Sequence, residues 1–195
     1  MCTSPVDLPH NFESERLILR GYQPGDGKWY YAMSLRNREH LQRYEADNVA
    51  CNIASEAAAE ELVCDLAEAW VKRTCFFIGA FEKESGAFVA QVYVGPVSWR
   101  LPEFEIGYFA EVDHQGKGYV TEAVKATLKI LFGQMGAHRV RLACDVTNLR
   151  SIRVAERCHM TREGTLRENR CNPDGTYSSS LIYGLLRGEY IQGYA

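Results

Sequence analysis

The stretch Asp113-His-Gln-Gly-Lys-Gly-Tyr-Val-Thr-Glu122 decides how this sequence is read. It lies between a segment of alternating apolar residues and a run with helical periodicity, so it turns a strand into a helix. Gly116 and Gly118 permit a tight turn and let a ligand come close to the backbone. The free N–H groups of a helix start, at the positive end of the helix dipole, attract anions, and Lys117 adds a full charge there. Two phosphate-binding loops are excluded by spacing. A Walker A loop needs Ser or Thr directly after its Lys, where Gly118 stands. A dinucleotide fingerprint needs a third Gly three residues beyond Gly118, where Thr121 stands.

Downstream, Val120, Ala123, Val124, Thr127, Leu128, Leu131 and Phe132 mark one helical face, which Gly133 to Gly136 bring to an end. Val140, Leu142, Cys144 and Val146 alternate as a strand. Asn148 caps a short helix to about Arg157, and two last strands flank the turn Asn172-Pro-Asp-Gly175. Upstream, Phe104, Ile106 and Tyr108 alternate with Glu105, Gly107 and Phe109, which predicts a strand with two distinct faces. Cys75 to Phe81 and Phe88 to Val97 read as strands joined by Lys83-Glu-Ser-Gly86. Ser55 is the N-cap of a helix whose Ala59, Leu62, Val63, Leu66 and Trp70 fall on one stripe, and that stripe is core packing. A first strand at Arg16 to Arg20 precedes a helix from about Asp26 to Arg38. The order is mixed, α/β or α+β, with no repeat or linker, so one domain over residues 1–195 is expected.

Composition narrows the function. The chain has 195 residues, 46% of them hydrophobic and 24% charged, which excludes a disordered or collagen-like protein. A net charge of −3 argues against nucleic-acid binding through a basic surface. The charge is uneven: residues 114–162 hold 9 Lys/Arg against 3 Asp/Glu, whereas residues 1–113 hold 10 against 18. The basic segment reads equally as an anion site or as a solvated face. No apolar run is long enough for a bilayer, and Met1 to Asn11 shows neither the basic nor the apolar part of a signal peptide. Seven cysteines without a C-x-x-C pair fit neither a complete disulfide framework nor a clustered zinc site, so a cytoplasmic enzyme with reduced thiols is expected.

Gln115-Gly-Lys-Gly118-Tyr-Val120 fits the pattern Gln/Arg-x-x-Gly-x-Gly/Ala, and here the sequence resembles the GNAT superfamily of acyl-CoA-dependent N-acetyltransferases. The resemblance is strongest to the branch of ribosomal-protein serine and alanine N-acetyltransferases, and it extends along nearly the whole chain. Ser14-Glu-Arg-Leu-Ile-Leu-Arg20, Phe104-Glu-Ile-Gly-Tyr108, Tyr119-Val-Thr-Glu-Ala123, Asn148-Leu-Arg-Ser151 and Ala155-Glu-Arg157 follow that branch in order. The resemblance implies a mixed, twisted sheet of about seven strands with helices on both faces, the strands at 104–109 and 140–146 splaying to admit the pantetheine arm. It implies acetyl-CoA as co-substrate, no metal, no nucleic acid or membrane partner, and direct acetyl transfer to a primary amine, such as the N-terminus of a ribosomal protein. A small-molecule acceptor (aminoglycoside, polyamine or amino-acid analogue) and a non-catalytic acyl-CoA-binding module are the alternatives. A homodimer is allowed. The family pattern is departed from in three places: Val120 replaces a small residue, His159-Met160 replace Gly-Phe, and Ala155 stands where many members carry a general-acid Tyr.

The resemblance assigns Gln115, Gly116, Lys117, Gly118, Tyr119, Val120, Asn148 and Ser151 to the donor. Glu105 is the candidate general base, with an ammonium anchor or a structural carboxylate as the other readings. Ser151 and Tyr119 are the candidate proton donors to the departing thiolate, which is itself a good enough leaving group to need none. Asn148 is read both as an N-cap and as a donor contact. Arg150 and Arg153 flank the same face as solvated groups or 3′-phosphate contacts, His114 borders the loop as a surface group, and Asn37 to Tyr44 fall where the family lines its acceptor pocket. Cys144 has no His partner that would make it a nucleophile.

Overall fold

The computed structural model describes residues 7–46, 48–172 and 174–193, so Cys2 lies outside the described residues. The chain runs β1 (Asn11–Glu13), β2 (Leu17–Gly21), α1 (Gly27–Gln42), α2 (Glu56–Val71), β3 (Phe76–Glu82), β4 (Phe88–Ser98), β5 (Glu103–Ala110), α3 (Tyr119–Gly133), β6 (Arg139–Asp145), α4 (Leu149–Arg157), β7 (Thr161–Cys171), β8 (Tyr177–Leu186) and α5 (Arg187–Gly193). Among the described residues eight strands form a sheet in the order β1-β2-β3-β4-β5-β6-β8-β7. β5 and β6 are parallel, while β1–β2, β2–β3, β3–β4, β6–β8 and β7–β8 are antiparallel. The expected seven strands become eight because three residues, Asn11–Glu13, pair with Ile18–Arg20.

Two compact units make up the chain, one built from Gly95–Gly107 with the residues from Val124 onward, the other from His10–Val94 with Tyr108–Ala123. In the second, α1 and α2 close over an apolar cluster that includes Tyr22, Tyr30, Met33, Leu41, Ala59, Val63, Leu66, Phe88 and Phe109. Ser55 caps α2 as its sequence predicts, accepting from the Ala58 N–H at 3.2 Å. Ala59, Val63, Leu66 and Trp70 are then buried at helical spacing. Burying a Val or Leu of this kind contributes about 1.5–3 kcal/mol. Within the cluster, Tyr22 and Tyr30 meet edge to face at 4.9 Å. Both hydroxyls reach the buried Gln91 side chain, so the aromatic core carries no unpaired phenol there.

The start of α1 is capped from outside. Asp26, at the N-cap position, gives its carboxylate to Arg20 and to the Gln23 N–H instead. Glu60 of α2 takes over, accepting from Gly25 N–H at 2.6 Å and Gly27 N–H at 2.8 Å. The two helices touch at this point: a Cβ on Gly27 would lie 2.5 Å from the Glu60 Cα.

In the other unit the alternation expected of β6 is observed. Val140, Leu142 and Cys144 are buried and oppose buried Leu185, Tyr183 and Leu181 of β8. Arg139 ties three strands together, bonding Glu103 of β5 at 3.1 Å and Glu163 of β7 at 2.7 Å. α4 closes in a Schellman motif, with His159 N–H on the Glu156 carbonyl and Met160 N–H on the Ala155 carbonyl, both at 3.0 Å. His159 supplies the left-handed residue that this motif requires, at φ 57°. The Gly-Phe of the family pattern is thus replaced by His-Met without loss of the helix end. α5, which has no sequence signature, is fixed by Tyr190 stacking on Phe132 at 4.6 Å.

Candidate active site

The loop from Gln115 to Val120 enters α3 as expected. Gly116 (φ 78°) and Gly118 (φ 83°) both take the left-handed conformation that disfavours any side chain. Apart from each glycine and its chain neighbours, no atom of the described residues lies within 4 Å of the point where a Cβ on Gly116 would stand, and at Gly118 such a point meets Arg16 Nη2 at 3.6 Å. Gly118 precedes the helix and brings no side chain to cap it. The backbone at both glycines therefore stays open to close approach, and Lys117 between them is exposed. These residues fit a pyrophosphate.

Three contacts from the same unit hold the loop. Arg16 donates to the Lys117 carbonyl at 3.3 Å and its guanidinium lies 4.6 Å over the Tyr119 ring. Glu122, in the first turn of α3, accepts from the Ser14 hydroxyl, the Arg16 N–H and Arg16 Nε, each at 2.7 Å. Burial pulls its carboxyl upward, but those hydrogen bonds and the guanidinium charge outweigh this and hold it below the usual carboxylate range. The Tyr119 hydroxyl donates to Glu82. That hydrogen bond, with burial, raises the phenol above its ordinary value, while the Ser85 hydroxyl and Tyr119 lower Glu82.

From the α1 side, Arg36 Nε bonds Glu111 at 2.8 Å, the Asn37 amide donates to the other Glu111 oxygen, and Asn37 Oδ1 accepts from Val112 N–H at 2.9 Å. Glu111 and Asn37 are both buried. They fix the chain between β5 and the loop, and the Gln115 amide lies 3.3 Å from the His40 ring nitrogens. His114, expected as a surface group, is half-buried beside Tyr119 at 6.2 Å between rings.

Glu105, Asn148 and Ser151 belong to the other unit. Glu105 sits opposite Arg141 in the parallel ladder, and Arg141 bonds its Oε2 at 2.7 and 2.9 Å. The carboxylate is 40% exposed. The paired register of β5 and β6 runs from Glu103 opposite Arg139 to this pair. The two-faced alternation of β5 holds from Phe104 to Ile106 and then slips: Tyr108 is half-buried and Phe109 buried. Asn148 is an N-cap, accepting from Ser151 N–H at 3.1 Å. Burial raises the Cys144 thiol and a hydrogen bond from Ser151 opposes the rise, while Cys158 is pushed up to about 12 by burial. Neither thiol has the lowered pKa of a nucleophile. Among the described residues no three His, Cys, Asp or Glu side chains form a metal-binding group. No helix among them is long and apolar enough to cross a membrane.

Sequence reasoning did not find Arg16, Glu82, Glu111 or the Arg16–Glu122 pair. The first and last of these lie inside quoted stretches, but 106 residues separate the partners and no local pattern joins them.

Residues 16–161 match the family model described as an acetyltransferase (GNAT) domain. The chain belongs to the GNAT acetyltransferase family. Among curated relatives it is 34% identical over 88 residues to the uncharacterized N-acetyltransferase YnaD of Bacillus subtilis (strain 168), a match covering 45% of this chain and 51% of that protein. The chain thus spans about half the length of that relative. Its fold is similar to that of the ribosomal-protein-S5-alanine acetyltransferase from Vibrio fischeri, with a TM-score of 0.81 and 19% identity over 92% of this chain and 98% of that one. It is also similar to RimL, a ribosomal L7/L12 alpha-N-protein acetyltransferase solved with coenzyme A (TM-score 0.80, 19% identity, 89% and 95% covered).

Proposed function

We propose that this GNAT protein transfers an acetyl group from acetyl-CoA directly to a primary amine, and that the acceptor is a protein N-terminal amine such as that of a ribosomal protein. The observation that carries the reading is the Gly116–Gly118 turn, left-handed at both glycines and open on its outer side at the start of α3. Backbone N–H groups there, with Lys117, suit a pyrophosphate. Acetyl-CoA supplies an activated acetyl group as a thioester. Gln115, Gly116, Lys117, Gly118, Tyr119 and Val120 are assigned to the donor, as are Asn148 and Ser151. A single catalytic domain over residues 1–195 is part of this reading, and a family match over residues 16–161 supports it.

An amine must lose a proton before it can attack, and Glu105 is the group assigned to that proton. Arg141 holds one of its oxygens, which orients the carboxylate. Tyr119 is assigned a positioning role, since its hydroxyl already donates to Glu82. Ser151, in the first turn of α4, is assigned to the departing sulfur. The acceptor class rests on the likeness to the ribosomal-protein enzymes. We place the reaction in the cytoplasm, where the six free cysteines of the described residues would stay reduced.

The test is release of free CoA thiol from acetyl-CoA in the presence of ribosomal-protein N-terminal peptides or of small amines. Turnover on peptides alone supports the reading, turnover on small amines alone redirects the acceptor, and release with neither overturns transfer. Glu105→Gln should lower kcat about 10²-fold, the lower end for loss of a general base, with partial recovery at high pH. A rise in the amine KM alone would make Glu105 an ammonium anchor.

A further inference from the structure

Glu122 poses an electrostatic problem for the proposed donor site. Its carboxylate belongs to the first turn of α3, where a negative side chain is attracted to the helix start and competes with any bound anion. A bare carboxylate there would repel the pyrophosphate that the glycine loop suits. The structure deals with it from the turn between β1 and β2. Ser14 Oγ, Arg16 N–H and Arg16 Nε all point at the Glu122 carboxylate at 2.7 Å. The same guanidinium reaches the Lys117 carbonyl through Nη1 at 3.3 Å and lies over the Tyr119 ring. Its Nη2 comes to 3.6 Å from the point a Gly118 Cβ would occupy. One cation thus touches the loop on both sides of Gly118.

Stability alone does not account for this arrangement. The Arg16 side chain is 45% exposed, and exposed ion pairs contribute little to folding. A lysine could neutralise the carboxylate, but it lacks the fork that lets one side chain bond a carboxylate and a carbonyl while stacking on a ring.

We propose that Arg16 is a positioning residue of the donor site: it neutralises Glu122 and fixes the Lys117-Gly118-Tyr119 backbone, so that the start of α3 keeps its attraction for the pyrophosphate of acetyl-CoA. This rests on the reading that the loop binds acetyl-CoA. It makes Arg16 and Glu122 an energetically coupled pair whose coupling appears in donor binding.

The experiment is a double-mutant cycle read by calorimetric titration with CoA, on wild type, Arg16→Gln, Glu122→Gln and the double variant, with Arg16→Lys alongside. Arg16→Gln leaves the carboxylate its two neutral hydrogen bonds but no countercharge and should weaken CoA about 30- to 100-fold, an effect of like charge at close range. In the double variant the offending charge is gone, and affinity should return to within about 5-fold of Glu122→Gln alone. Arg16→Lys should fall between wild type and Arg16→Gln. In steady state the loss should appear in the donor KM more than in kcat. A double variant as weak as Arg16→Gln would overturn the charge-balancing role, and wild-type affinity in Arg16→Gln would overturn the whole proposal. Gly118→Asp separates the two levels: if wild type binds CoA, Gly118→Asp does not, and Arg16→Gln matches wild type, this inference falls and the donor site stands. If wild type itself fails to bind CoA, both fall.

Discussion

The same unit contains two glycine-x-glycine turns that lead into helices, and they handle negative charge in opposite ways. Gly25-Asp-Gly27 opens α1, and its N–H groups are already bonded to a carboxylate, that of Glu60 from α2. Gly116-Lys-Gly118 opens α3, and the nearby carboxylate, Glu122, is turned toward Ser14 and Arg16. The central residues differ accordingly: Asp26 is bonded to Arg20, whereas Lys117 is exposed. Local backbone chemistry alone makes both turns anion sites. What separates a structural turn from a candidate binding loop is whether the fold sends its own carboxylate in or holds it away. The motif is therefore half of the argument, and the partner of each carboxylate is the other half.

The largest effect comes from making the second turn resemble the first. Gly118→Asp puts a carboxylate into the loop at a position with φ 83°, and CoA affinity should fall by more than about 10²-fold, in calorimetry on a variant shown to be folded. Unchanged affinity would remove the loop from the donor site. Next, Glu60→Gln withdraws the charge from the α1 turn while keeping the shape. Stability should drop by about 1–2 kcal/mol in urea unfolding, with CoA affinity within about twofold of wild type, because this turn is structural. A large loss of CoA binding would erase the distinction between the turns.

Asn148→Ala sharpens the comparison with a third helix start, capped by its own side chain. It should cost about 1 kcal/mol of stability, as for other N-cap losses. Any additional loss of CoA affinity beyond about threefold would show that Asn148 also serves the donor. The smallest effect is a gain. His159→Gly relieves a left-handed φ of 57° at the end of α4 and should stabilise the protein by up to about 1 kcal/mol, seen as a melting temperature higher by roughly 2–4 °C.

Much of this was legible in the sequence because it is written locally. The Ser55 cap, the α2 and α3 stripes, the Asn148 cap and the glycine loop each depend on residues within a few positions of one another. β1 was not legible, since three residues show no period and pair only because β2 offers an edge. Nor was α5, a segment with two glycines whose helix is held by Tyr190 on Phe132. At the site the glycines and Lys117 could be read, but the groups that orient them could not. Glu82 lies 37 residues from Tyr119 and Glu111 lies 74 from Asn37, so only the folded chain pairs them. Arg141 beside Glu105 was hidden for a further reason: the register of a parallel ladder is set by its crossover connection, not by either strand alone.

The edge strand β7 has a consequence for how this protein behaves in concentrated solution. It is 11 residues long, exposed along nearly all its length, and ends the sheet on one side. A flat strand of that length would offer its open backbone groups to other chains and seed aggregation. Here the pairing with β8 shifts register between Arg162 and Gly164 and again between Leu166 and Arg170, and Glu168 takes φ 49°. Arg162, Glu163, Arg167, Glu168 and Arg170 line the same strand, so a second strand laid beside it would meet a bent ribbon carrying both signs of charge. At the opposite edge β1 is only three residues long. The sheet is thus protected against growth at both ends, by irregularity at one and by brevity at the other.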